Sequence, residues 1–225
     1  MNSPCSSGPP FGPEAFLTPC NSDPTHPGVR TSLFFLQSVR SQQMRCIFRE
    51  HMSRLRRIEQ QDRIFFVTFN LASGLSTLSE KERNLLSVSL AETRTARNFL
   101  LLGYVVMPDH VHALLAIIDG SLSDTMHAWK CSSARSIQTA RSKRGAIWQA
   151  RYFDFICRRT RDVTNKLDYI HQNPVVAGLV SRPEDWRWSS AAFYSRTGTP
   201  LLVPDAMDFS GDPDELLWPA PWRRT

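Results

Sequence analysis

LLGYVVMPDHVHALL, residues 101–115, is the stretch on which the fold turns. Two apolar runs rich in leucine and valine meet at Pro108–Asp109, a pair suited to a tight turn, so the stretch predicts a β-hairpin. Its second arm carries two of the chain's six histidines. Side chains alternate faces along a strand, so His110 and His112 share one face while Val111 and Ala113 point to the other. Two imidazoles so placed can hold one divalent ion. An HxH pair by itself is more often two satisfied histidines, so the surroundings have to decide. HExxH is absent. The (β/α)8 barrel that carries HxH in amidohydrolases typically needs about 250 residues, more than the organised part of this chain supplies.

Working outward, RIFFVTFNL (63–71) reads as a strand, and LSEKERNLLSVSLAETRTARNF (78–99) as a helix capped by Thr77 or Ser79. After the hairpin, LSDTMHAWKCSSARSIQTARS (122–142) reads as a basic helix and AIWQARYFDFICR (146–158) as a fourth strand. DVTNKLDYIHQNPVVAGLV (162–180) reads as a helix interrupted near Asn173–Pro174, because the residue before a proline is pushed out of helical geometry. The order β-α-β-β-α-β predicts an α+β fold: a ferredoxin-like split βαβ, with an antiparallel sheet, helices on one face and one further C-terminal helix.

Three segments are expected. Residues 1–51 form a weakly ordered leader, since 1–27 hold seven prolines and too little apolar area to offset the entropy of ordering them. Residues 52–196 form the domain, and 197–225 a Pro- and Asp-rich tail. Met44 and Met52 are plausible alternative starts. No apolar run approaches the roughly 20 residues that span a bilayer, and no signal peptide is visible, so the expected location is the cytoplasm. Five cysteines at 5, 20, 46, 131 and 157 show no CxxC spacing and read as reduced thiols rather than a disulfide frame or zinc site.

The chain carries a net charge of +6, with 23 arginines against 4 lysines. Between Lys130 and Lys166 stand ten Lys or Arg against two acids, Asp154 and Asp162. Such a run is usually a solvated face, but it also suits phosphate oxygens. On the last helix, Val163, Leu167 and Ile170 form an apolar stripe, flanked by Lys166, Tyr169 and Asn173. A phenol with an ordinary pKa near 10 is a weak nucleophile unless a cation promotes its ionisation. Tyr104 reads as core, and Tyr152 and Tyr194 as poorer candidates for chemistry.

Taken together, RLRRIEQQDRIFFVTFNL, LLGYVVMPDHVHALL, WQARYFDFICR, LDYIHQNPVVAGLV and EDWRWSSAAFY resemble, in that order, the blocks of REP-associated tyrosine transposases, which belong to the single-tyrosine HUH transposases. The resemblance covers roughly residues 54–205. It implies a ferredoxin-like enzyme that handles single-stranded DNA bearing hairpins, with Mg2+ or Mn2+, as a monomer or a homodimer. His110 and His112 match the HUH histidines, Tyr169 the nucleophile, and Asn173 the position that completes the metal shell, with His171 and Gln172 close by. The implied reaction is cleavage through a 5′-phosphotyrosine and strand rejoining. Lys130, Arg135, Arg141, Lys143, Arg144, Arg151, Arg158, Arg159 and Lys166 become the expected path of DNA phosphates, which would make binding fall steeply with salt. Trp129, Trp148 and Tyr152 are candidates to stack on bases, with core packing the competing role for most of them, and Trp186 and Trp188 look structural. Two other readings stay open: a domesticated, inactive hairpin-binding protein on the same fold, and a metal-dependent phosphodiesterase that uses water.

Overall fold

The computed structural model describes residues 63–217; the leader lies outside them. Strand β1 (Arg63–Asn70) is buried along both faces from Ile64 to Phe69, as a strand between two neighbours must be. It pairs antiparallel with β3 (His110–Ile117) on one side and with β4 (Phe153–Cys157) on the other. β2 (Phe99–Val106) closes the sheet by pairing with β3, giving the order β2-β3-β1-β4. The β2–β3 hairpin turns at Pro108–Asp109 as the sequence predicts, with the Met107 N–H donating to the His110 carbonyl at 2.8 Å. A bulge between Leu101 and Gly103 lets β2 keep its register with β3.

Helix α1 (Glu80–Arg97) starts on a complete capping box: Ser79 accepts from the Glu82 N–H, and Glu82 accepts from the Ser79 N–H at 2.7 Å. Helix α2 (Leu122–Arg141) is capped by Ser121, and Ser142 ends it in the left-handed region at φ 51°. α1 and α2 pack on each other across the sheet face that carries Phe69, whose ring meets Trp129 at 4.9 Å and Trp148 at 4.8 Å. Helix α3 (Thr160–Val176) lies on the opposite face, against β2, β3 and β4. The structure is therefore the α+β, ferredoxin-like arrangement, with two helices on one face and the additional C-terminal helix on the other.

Two sequence expectations are corrected. The fourth strand is only five residues long; Ile147 and Trp148 instead tuck beneath α2, where the Trp148 indole N–H donates to Ser133 Oγ at 3.0 Å. The last helix is not interrupted at Asn173–Pro174 but runs through to Val176. Pro174 stands in the final turn and is buried, so its ring costs a single hydrogen bond to Ile170 while adding packed surface. Asn173 and Pro174 keep their carbonyls paired, to the Ala177 and Leu179 N–H groups at 3.0 and 2.9 Å. Gly178, at φ 70°, turns the chain away.

The chain after α3 fastens the sheet edge. The Val106 N–H donates to the Trp188 carbonyl and the Ser190 N–H to the Tyr104 carbonyl. Asp205 accepts from the Leu101 N–H at 2.7 Å and pairs with Arg94. Further on, Thr160 and Arg161 donate backbone N–H groups to Glu215 and Pro213 at the start of α3. Among the described residues no helix is long and apolar enough to cross a membrane.

Candidate active site

The bulge and hairpin place His110 and His112 on the sheet face that α3 covers. Their ring centroids lie 4.7 Å apart. Thr68 and Asn70 are their cross-strand partners on β1, so Phe66, two residues before Thr68, lies on the same face and forms the floor. The Phe66 ring stacks on His112 at 5.4 Å and meets Tyr169 edge-on at 5.9 Å. Tyr169 also approaches His112, at 5.1 Å between centroids.

α3 delivers the remaining groups because residues three and four apart share a helix face. Asn173 Nδ2 donates to His112 Nε2 at 3.3 Å, and its side chain is also hydrogen-bonded to the Tyr169 hydroxyl. The Lys166 ammonium sits over the rings of Phe66 and Phe155 at 4.7 and 5.0 Å. Helix α3 comes this close because β2 carries glycine where the helix presses. A Cβ built on Gly103 would lie 2.5 Å from Leu167 Cδ2.

The electrostatics of this cluster follow from burial. His112 is almost fully enclosed. Burial, and then the charges of His110 and Lys166, hold its pKa well below that of an ordinary histidine, so the ring is neutral and able to donate a lone pair. Burial raises the Tyr169 hydroxyl above its usual value, and the Asn173 hydrogen bond pulls it part of the way back. Burial lowers the Lys166 ammonium, against the opposing pull of Cys157 and Asp162.

These residues fit a divalent cation through their donor atoms. Nδ1 of His110 lies 2.7 Å from Asp109 Oδ1, and Nδ1 of His112 lies 2.7 Å from Thr68 Oγ1. Nε2 is then the ligand atom on each ring; on His112 it is the atom that meets the Asn173 amide, a contact an ion would replace. Among the described residues no three His, Cys, Asp or Glu side chains gather into a metal cluster. A cation here would have to draw on two imidazoles, an amide oxygen and oxygens from outside the chain, a set that suits Mg2+ or Mn2+ when a phosphate takes part.

The expected phosphate path separates into groups. Arg135, Lys143, Arg144, Arg151 and Arg158 are exposed. Lys166 belongs to the site itself. Arg141 is bound into the fold, pairing with Glu82 and donating to the Ser76 carbonyl at 3.1 Å. Lys130 donates to the carbonyls of Gln149 and Ala150, and Arg159 pairs with Asp214. The stacking role considered for Trp129, Trp148 and Tyr152 is excluded in this conformation because all three are buried. Trp186 and Trp188 are structural: the Arg83 guanidinium lies over both rings, and the Trp186 N–H donates to the Val106 carbonyl.

The sequence reading did not place Thr68 or Phe66 at the site and took Asp109 only as a turn residue. Asp109 could have been found, since it adjoins His110. Thr68 and Phe66 needed the β1–β3 register, which no local pattern carries.

A family model described as transposase IS200-like matches residues 75–173, which span the hairpin, α2 and α3 up to Asn173. The REP-associated tyrosine transposase of Escherichia coli is 29% identical over 161 residues, covering 72% of this chain and 93% of that protein. A solved structure of a REP-associated tyrosine transposase bound to a REP hairpin superposes with a TM-score of 0.57 at 27% identity, covering 73% of this chain and 98% of the other. Over that length the chain is similar to the IS200-like transposases and to the REP-associated tyrosine transposases.

Proposed function

We infer that this transposase cleaves and rejoins single-stranded DNA next to a palindromic hairpin, with Tyr169 as nucleophile and a divalent cation, Mg2+ or Mn2+, held by His110, His112 and Asn173. The observation that carries the reading is the convergence of Tyr169, Asn173 and the histidine pair over Phe66, with Asn173 hydrogen-bonded towards both His112 and Tyr169. A packing tyrosine has no need of a neutral, enclosed imidazole against its ring. The likeness to a hairpin-bound REP-associated tyrosine transposase supports hairpin DNA as the partner. The catalytic unit would run over residues 52–196, with 197–225 strapped onto it.

In this mechanism Tyr169 Oη attacks the scissile phosphorus in line and loses its proton. The bond from phosphorus to the 3′ oxygen breaks, and that oxygen leaves as a 3′-hydroxyl after taking up a proton. The 5′ phosphate stays on the enzyme as a tyrosine ester. Because the ester bond is kept, a 3′-hydroxyl from the same or another strand can reverse the step without ATP. A cation bound at the histidines would supply Lewis acidity to a non-bridging phosphate oxygen. The chain's own contribution is to hold His112 neutral and to aim the phenol. Lys166 places a positive charge on the same floor, and the exposed arginines and Lys143 receive the flanking phosphates.

The test is cleavage of hairpin oligonucleotides from DNA flanking the gene, labelled at either end, with Mg2+ or Mn2+. The wild-type protein is expected to leave a protein-sized adduct on the downstream strand, and Tyr169→Phe none, with hairpin binding nearly unchanged. Tight hairpin binding without any adduct would favour the inactive binder. Cleavage that survives in Tyr169→Phe would favour water as nucleophile.

A further inference from the structure

The two histidines are gripped differently. His112 is held by Thr68, a buried neutral hydroxyl that faces it across the β1–β3 ladder. Asn173 donates to His112 Nε2, so the ring proton sits on Nδ1 and is given to Thr68 Oγ1. His110 is held by Asp109, a carboxylate at the hairpin turn whose side chain is 67% exposed, while that of His110 is 22% exposed. In both cases the partner takes Nδ1, so Nε2 is the ligand atom on each ring, that of His112 on exchanging its Asn173 contact for the ion. Two unrelated elements, a strand interior and a turn, arrive at the same arrangement. Packing alone does not require this.

We propose that Thr68 and Asp109 are positioning residues for the divalent cation: Thr68 fixes the tautomer and ring plane of His112, and Asp109 orients His110 and makes it a stronger donor. The assignment rests on reading the histidine pair as the cation site. Partners of this kind on metal-bound imidazoles commonly change metal affinity by about 10- to 100-fold. The two should differ in character. Asp109 acts through charge and a hydrogen bond, whereas Thr68 acts through a hydrogen bond alone.

The experiment is calorimetric titration of the full chain with Mn2+ in the absence of DNA, so the readout is affinity and not cleavage. Asp109→Ala and Thr68→Val are each expected to weaken Mn2+ binding about 10- to 100-fold. Asp109→Asn, which keeps an acceptor oxygen and loses the charge, should fall between wild type and Asp109→Ala. Thr68→Ser should bind within a few-fold of wild type, and its recovery relative to Thr68→Val separates a lost hydrogen bond from a disturbed strand. Near-UV circular dichroism of each metal-free variant should match wild type. Wild-type affinity in both Asp109→Ala and Thr68→Val, with binding lost in His110→Ala and His112→Ala, would overturn the positioning roles and leave the cation site standing. Unchanged binding in the two histidine variants would overturn the site itself, and the assignment with it.

Discussion

At the scale of single residues, the site is a set of groups whose ordinary properties are altered by enclosure. Burial holds the His112 ring in its neutral form, and partial burial raises the Tyr169 hydroxyl above its usual value. A buried imidazole held at both nitrogens tolerates truncation badly. His112→Ala is expected to abolish both Mn2+ binding and strand cleavage, measured by titration and by gel, while hairpin affinity at moderate salt stays within a few-fold of wild type. Much of this was legible beforehand. The period of two in HVH put both histidines on one face, and the spacing of Lys166, Tyr169 and Asn173 put three polar groups along one edge of a helix. Phe66 and Thr68 were not legible, because a strand's partner register depends on hydrogen bonds made 44 residues away in sequence.

At the scale of elements, the helix that bears Tyr169 is positioned by an absence. Gly103 leaves room on β2 for Leu167, and a methyl group there would force the leucine to move. Gly103→Ala is expected to cost about 1–3 kcal/mol in urea unfolding and to slow cleavage by displacing α3. Trimming the clash in Gly103→Ala/Leu167→Ala should recover part of the activity, though not the stability. The α1–α2 pair depends on the largely buried contact between Arg141 and Glu82, whose side chains are 12% and 7% exposed. Arg141→Ala should destabilise the fold by about 3 kcal/mol without altering the salt dependence of hairpin binding. Arg144→Ala should do the reverse, leaving unfolding unchanged and lowering the slope of log affinity against log salt by about 1. The element order and the hairpin were readable from periodicity and turn chemistry. The passage of α3 through Pro174 was not, because the penalty before a proline is a preference that packing of Ile170 and Pro174 can overcome. Nor does charge counting separate arginines that meet solvent from one that ties two helices together.

At the scale of the whole molecule, one sheet serves two purposes. The face bearing Phe69 is a closed core of aromatic and aliphatic side chains, and the face bearing Phe66 holds the histidine pair and Tyr169 beneath a single helix. The core also sets the response to alkali. Burial pushes the hydroxyls of Tyr104 and Tyr194 up to about 12, and the Cys157 thiol up to about 12. All three are acids whose folded values exceed their unfolded ones. The stability they support is complete below about pH 9 and is lost as pH rises towards 12. Urea midpoints should therefore hold level from pH 7 to 9 and fall above 10, with delayed tyrosine ionisation seen at 295 nm.

The central claim is that Tyr169 becomes covalently joined to DNA. The most direct measurement incubates the wild-type chain with a hairpin oligonucleotide and Mn2+, digests the adduct with nuclease and protease, and locates the remaining nucleotide by mass spectrometry. The result expected is a phosphate-linked nucleotide on the peptide containing Asp168–Tyr169–Ile170, and on no other tyrosine. A nucleotide on a different side chain, or strands cut with no protein-bound nucleotide at all, would contradict it.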